Sequence, residues 1–187
     1  MSQLPEEIVL GPEEEARRLW SGAREAQLRA GEDLVALFEC LDLGLRAAEI
    51  LVVHQLQPVR DKFPATIGVQ LELPDPDVEI YRDALTAQHT LQFTDIVDLL
   101  SAEELSCVSP GMHRGWEDRV FSCRRSRKTA QETLGATLDD GDRDKLLLLS
   151  AYRNRIFRYP PPVRIVPASV LASFDALEDL TERLLRN

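Results

Sequence analysis

The stretch Tyr152-Arg153-Asn154-Arg155-Ile156-Phe157-Arg158-Tyr159 crowds arginines, an amide and aromatic rings together, and Pro160-Pro161-Pro162 follows it. Side chains of this kind hold anions. A guanidinium is a planar fork of donors that matches a phosphate or a carboxylate, and an amide adds both a donor and an acceptor. Helical spacing sorts the group. With Tyr152 as origin and about 100° per residue, Leu146, Leu149, Ile156, Phe157 and Tyr159 share an apolar sector with Tyr152. Arg153 falls inside that sector; Asn154, Arg155 and Arg158 fall outside it. A guanidinium turned inward is costly unless it is paired or meets a ligand. Two readings stay open: Arg153 bonds an acidic side chain or helix-end carbonyls and orders the core, or it lies in a cleft or dimer seam and touches an anion.

A second basic group, Arg124, Arg125, Arg127 and Lys128, lies beyond Arg114 and Arg119, with Trp116 and Phe121 interleaved. On a helix these charges spread around the axis, as on a solvated surface. If their helix packs beside the Arg153 helix, they join Arg153, Arg155 and Arg158 in a groove that tracks a phosphate backbone. The histidines are His54, His89 and His113. None has metal-ligand spacing, and His113, in basic surroundings, is the candidate acid–base group. Asp139, Asp140, Asp142 and Asp144 lack the spacing and closing glutamate of a calcium loop. There is no phosphate-binding glycine loop, dinucleotide fingerprint or nucleophile elbow. Neither a metal nor a cofactor is expected.

The charge is uneven. Residues 1–111 carry 8 basic and 21 acidic side chains, residues 112–187 carry 14 and 11, and the whole chain is −10. An acidic body with one basic pole is unlike a general nucleic-acid binder, yet it can hold an anion locally. The cysteines Cys40, Cys107 and Cys123 are isolated, so neither a disulfide framework nor a zinc knuckle is supported. No apolar run approaches a membrane span, and the acidic start Met1–Glu7 lacks a signal-peptide core. The expected compartment is the cytoplasm.

The elements that must position these residues read as helices. Residues 1–11 look like a polar leader. Pro12 with Glu13-Glu14-Glu15 starts a helix running to about Arg29. Leu34, Leu37, Leu41, Leu45, Ala48, Leu51, Val52 and Leu56 make 32–57 the central core helix. Ile67, Val69, Leu71 and Leu73 alternate with polar residues or glycine, which predicts a short extended or β insert near 66–73. Short helices follow at about 75–87 and 95–104, the second capped by Thr94. Longer ones are predicted at 112–134, ending at Gly135, and at 142–158 after the Asp139–Asp142 turn. Pro167 begins a final helix. The fold class is therefore all-α, a bundle of about six helices in a single domain over 12–187.

The arginine motif, the proline-broken loop and the final apolar helix resemble the signature end of HEPN domains. The likeness covers roughly 112–187, with a looser helical match over 32–57. HEPN domains are small all-α bundles common in bacterial toxin–antitoxin, CRISPR-associated and anti-phage systems. Their motif is an arginine, often followed by a polar residue, with a histidine further along the helix; in active members paired motifs meet across a dimer and cleave RNA without a metal. Arg153 and Asn154 match the first two positions. Arg158 stands where the histidine belongs, and no histidine follows His113. Arginine does not deprotonate near neutral pH, so Arg158 replaces the phosphate-holding role but not the acid–base one.

The resemblance thus implies a non-catalytic binding or regulatory module. It would be a homodimer through the Arg153 helix or the final helix, holding RNA, a nucleotide or a protein partner in a defence or toxin–antitoxin type system. An alternative is a metal-independent endoribonuclease. There Arg153 would stabilise the phosphate, Asn154 orient it, Arg158 bind its neighbour, and His113 or Tyr159 move the proton. A third is a structural interaction domain whose acidic half binds a basic protein.

Overall fold

A computed structural model of the chain describes residues 10–63, 71, 91–102, 126–158 and 164–187, the side chains of 157 and 158 excepted. Its α-helices are α1 (Pro12–Gln27), α2 (Leu34–Leu56), α3 (Phe93–Leu100), α4 (126–134), α5 (Asp140–Arg158) and α6 (Pro167–Arg186), with a 3₁₀ turn at Gln57–Lys62. No strand occurs among the described residues; Ser101 and Leu138 form one isolated parallel bridge. The protein is an all-α helical bundle. The insert expected near 66–73 lies outside the described residues except for Leu71, which is buried. So do residues 1–9 of the leader, the helix expected at 75–87, and the first part of the one expected at 112–134.

α2 is the axis of the bundle, and α1, α3, α5 and α6 all pack against it. The reason lies in its sequence. Leu37, Leu41, Leu45, Leu51, Val52 and Leu56 are buried, and small residues between them, Ala36, Cys40, Gly44, Ala47 and Ala48, let neighbours approach. Gly44 is the closest approach: a Cβ there would stand 2.9 Å from Leu177 Cδ2 of α6 and 3.3 Å from Phe174 Cε2. α1 lays Ala16, Leu19, Trp20, Ala23 and Ala26 inward, and the Trp20 ring stacks on Phe174 at 5.7 Å between centroids.

Helix ends follow local chemistry. Asp33 caps α2 by accepting from Val35 N at 2.8 Å. α3 begins at Phe93, before the expected Thr94 cap, because Gln92 opens the helix and its N–H is taken by the Asp95 carboxylate at 3.2 Å. It ends at Leu100, where Leu138 N–H donates to Leu100 O and Leu138 O accepts from Ala102 N–H. α4 stops at Gly135, whose φ of 58° is the left-handed conformation that glycine adopts without strain. The Asp139 carboxylate accepts from Asp142 N at 2.8 Å and caps α5, the turn role expected for that acidic run.

Candidate functional site

Arg153 points inward from α5, as the helical spacing predicted, with its side chain 14% exposed. Its partner is Glu49 of α2. Nη2 donates to Glu49 Oε1 at 2.6 Å and Nη1 donates to Oε2 at 3.1 Å, a two-point match of guanidinium and carboxylate. Glu49 Oε1 also accepts from the backbone N–H of Phe93 at 3.1 Å. That N–H is the first of α3 and has no partner inside its own helix. One carboxylate therefore ties α2, α3 and α5 together. Of the two readings of Arg153, the structure shows an acidic side chain as its partner.

The pair borders a cleft of about 270 Å³ between α2, the start of α3 and α5. Asp42 and Arg46 line it from α2, Leu91 to Thr94 from the start of α3, and Ser150 and Asn154 from α5. Its charged side chains are Asp42, Glu49, Arg46 and Arg153, so they balance. Arg46 and Asp42 stand 3.8 Å apart, too far for a hydrogen bond. Asn154, the motif's amide, is half-buried on the cleft wall.

The other arginines of the basic pole separate. Arg127 is turned away from solvent and donates to Asp98 of α3 at 2.7 Å, with its side chain only 11% exposed. It is committed to the α3–α4 contact rather than displayed as a phosphate contact. Arg155 is exposed and makes no ion pair among the described residues. Arg124, Arg125 and His113 lie outside the described residues, as does the side chain of Arg158. Arg143 reaches Asp140 at 2.7 Å and Asp144 at 3.1 Å. Lys145 reaches Asp175 at 3.0 Å, a hydrogen bond that holds its pKa above the ordinary lysine value. Much of the described positive charge is thus answered by carboxylates of the chain itself.

Sequence reasoning missed Glu49, Asp42, Arg46 and Ser150. A signal for Glu49 was present: it sits four residues after Leu45 and three before Val52, an acid on the apolar stripe of the core helix. No group of histidine, cysteine and carboxylate side chains able to hold a metal occurs among the described residues. No helix of the described residues is long and apolar enough to cross a membrane. No family model, no curated protein and no solved structure matches this chain.

Proposed function

We propose that this protein is a non-catalytic HEPN-like module that binds a partner in a bacterial defence or toxin–antitoxin type system. The observation that carries the reading is the closed bond between Arg153 and Glu49. A catalytic arginine must offer its donors to a phosphate as charge develops there. Here both terminal nitrogens face a carboxylate that simultaneously caps α3. An RNA phosphate would have to displace Glu49, and removing a carboxylate from a partly buried guanidinium and a helix N-terminus is costly. The missing histidine at Arg158 points the same way.

Among RNA, a nucleotide and a protein, the described residues favour a protein partner. Arg127, Arg143 and Arg153 are each engaged by carboxylates of the same chain, so less positive charge is left for a polyanion. The net charge of −10 suits a basic partner instead.

The test is RNA cleavage and RNA binding in chelator by wild type, Arg153→Ala and Asn154→Ala, with light scattering on the same samples to see whether copies pair. The expected result is no cleavage by any of the proteins. Cleavage by wild type that both substitutions abolish would overturn the reading. Asn154 lies outside the ion pair, so Asn154→Ala keeps the test meaningful if Arg153→Ala fails to fold.

A further inference from the structure

Five large apolar side chains are exposed among the described residues, and three of them, Leu28, Leu34 and Val35, lie together at the turn between α1 and α2. They are 88%, 53% and 62% exposed. Folding gains little from apolar surface left in water; one such residue is ordinary, and a cluster is a mark of contact with another molecule. Helix-end chemistry does not ask for these residues. Leu28 is the C-cap of α1, a place where a polar residue or glycine serves as well. Leu34 and Val35 open α2, in a first turn that favours carboxylates and here has none. Phe38, half-buried, stands one turn on from Leu34 on the same side of α2 and extends the apolar surface. The charges of this turn are mostly negative. Glu25, Glu32, Asp33 and Glu39 are all exposed. Of the two arginines nearby, Arg24 reaches Glu178 of α6 and Arg29 stands 3.6 Å from Glu39. Glu25 and Glu32 make no ion pair among the described residues.

We propose that the α1–α2 turn is the docking surface for a protein partner, and that the partner presents a helix with leucine-type side chains on one side and lysines or arginines beside them. The inference rests on the protein-partner reading above and gives that partner a surface. Charge complementarity selects the occupant. Leu28, Leu34 and Val35 supply the apolar centre of a contact, and the carboxylates supply a rim that attracts a basic partner and repels an acidic one. A second copy of this chain is disfavoured, because it would set Glu25, Glu32 and Asp33 against their own kind in a chain of net charge −10. RNA is disfavoured on the same ground. The two readings fail separately. RNA cleavage would remove the non-catalytic reading without moving a peptide titration, and a failed titration would leave that reading standing.

The experiment titrates the full chain into a fluorescent peptide of leucine and lysine, patterned as an amphipathic helix, and reads anisotropy. Two comparison peptides carry glutamate for every lysine or serine for every leucine. The expected result is binding of the leucine–lysine peptide that weakens as salt is raised, with neither comparison peptide bound. Leu28→Ser/Val35→Ser and Glu25→Gln/Glu32→Gln should each weaken binding by about tenfold or more. Leu148→Ser, at the exposed leucine of α5, should leave binding unchanged. All of these positions are exposed, so the peptide-free Tm of each variant should stay close to that of wild type. The proposal is overturned if the leucine–lysine peptide does not bind, if either comparison peptide binds as well, or if either turn variant binds as tightly as wild type. Light scattering that shows copies pairing, with pairing lost in Leu28→Ser/Val35→Ser, would overturn it in favour of a self-contact.

Discussion

Removing the Glu49 carboxylate without removing its shape should loosen three helices at once. Glu49→Gln keeps a side-chain oxygen for the Phe93 N–H but leaves Arg153 without its counter-charge. Fully buried pairs cost about 3–5 kcal/mol to break from one side, and exposed pairs are worth about 0–1 kcal/mol. The side chains of Arg153 and Glu49 are 14% and 21% exposed, which places this pair nearer the buried limit. A cost of about 2–3 kcal/mol follows, or a Tm lowered by about 4–12 °C for a chain of this length. Glu49→Leu should cost about 1–3 kcal/mol more, because the Phe93 N–H then loses its acceptor as well. The assay is urea denaturation of wild type, Glu49→Gln, Arg153→Met and the double variant. The coupling energy in that cycle should be about 1.5–3 kcal/mol, the worth of hydrogen bonds to charged groups. Additivity to within about 0.5 kcal/mol would mean that the two side chains do not bond in solution, and the account of the site would fail.

Other consequences can be measured on the same preparation. Gly44→Ala should destabilise by about 1–2 kcal/mol in urea, since overpacking against Leu177 and Phe174 outweighs the helix propensity gained. Gly31→Ala, where a Cβ meets nothing within 4 Å, should be neutral or slightly stabilising in the same assay. Burial pushes the Cys40 thiol up to about 12 against the lesser opposing effect of Arg24, so in a Cys107→Ser/Cys123→Ser background it should resist maleimide until urea unfolds the chain. The sign for stability follows: the Cys40 contribution is complete below the ordinary thiol value of 9.0 and is lost as pH rises from there towards about 12, because only the unfolded chain ionises in that window. The Glu15 carboxyl, held below its ordinary 4.5 by hydrogen bonds from Arg18, should titrate low by NMR; its contribution is present above 4.5 and fades as pH falls through the lower folded value.

Helix positions were legible because periodic burial and end chemistry agreed. Pro12, Asp139 and Pro167 mark starts, and Gly135 marks a stop where the backbone needs a positive φ. α3 was read too late in the chain because Thr94 resembles a cap, while the Gln92–Asp95 contact, which opens the helix two residues earlier, depends on side-chain geometry that composition does not reveal. The inward turn of Arg153 was legible from spacing alone. Its partner was not, because Glu49 is separated from it by more than a hundred residues and only packing of α5 against α2 brings them together. Arg127 shows the same limit: its place in a basic run suggested display, and its bond to Asp98 removes it from the surface.

Arg153 and Glu49 are both charges on otherwise apolar stripes, one on α5 and one on α2. Two such misfits of opposite sign are each unfavourable alone, and each meets its counter-charge in the other. That makes the pair a register mark: α5 can slide along α2 by one turn and still bury leucines, but it then strands a guanidinium and a carboxylate. A nuclease arginine has a different requirement, since it must keep donors open to the substrate and be oriented by neighbours that do not consume them. In this chain both terminal nitrogens of Arg153 donate to one carboxylate, and that carboxylate also caps α3. These features suit a residue that orders the packing of α2, α3 and α5, which is what the proposed non-catalytic reading requires.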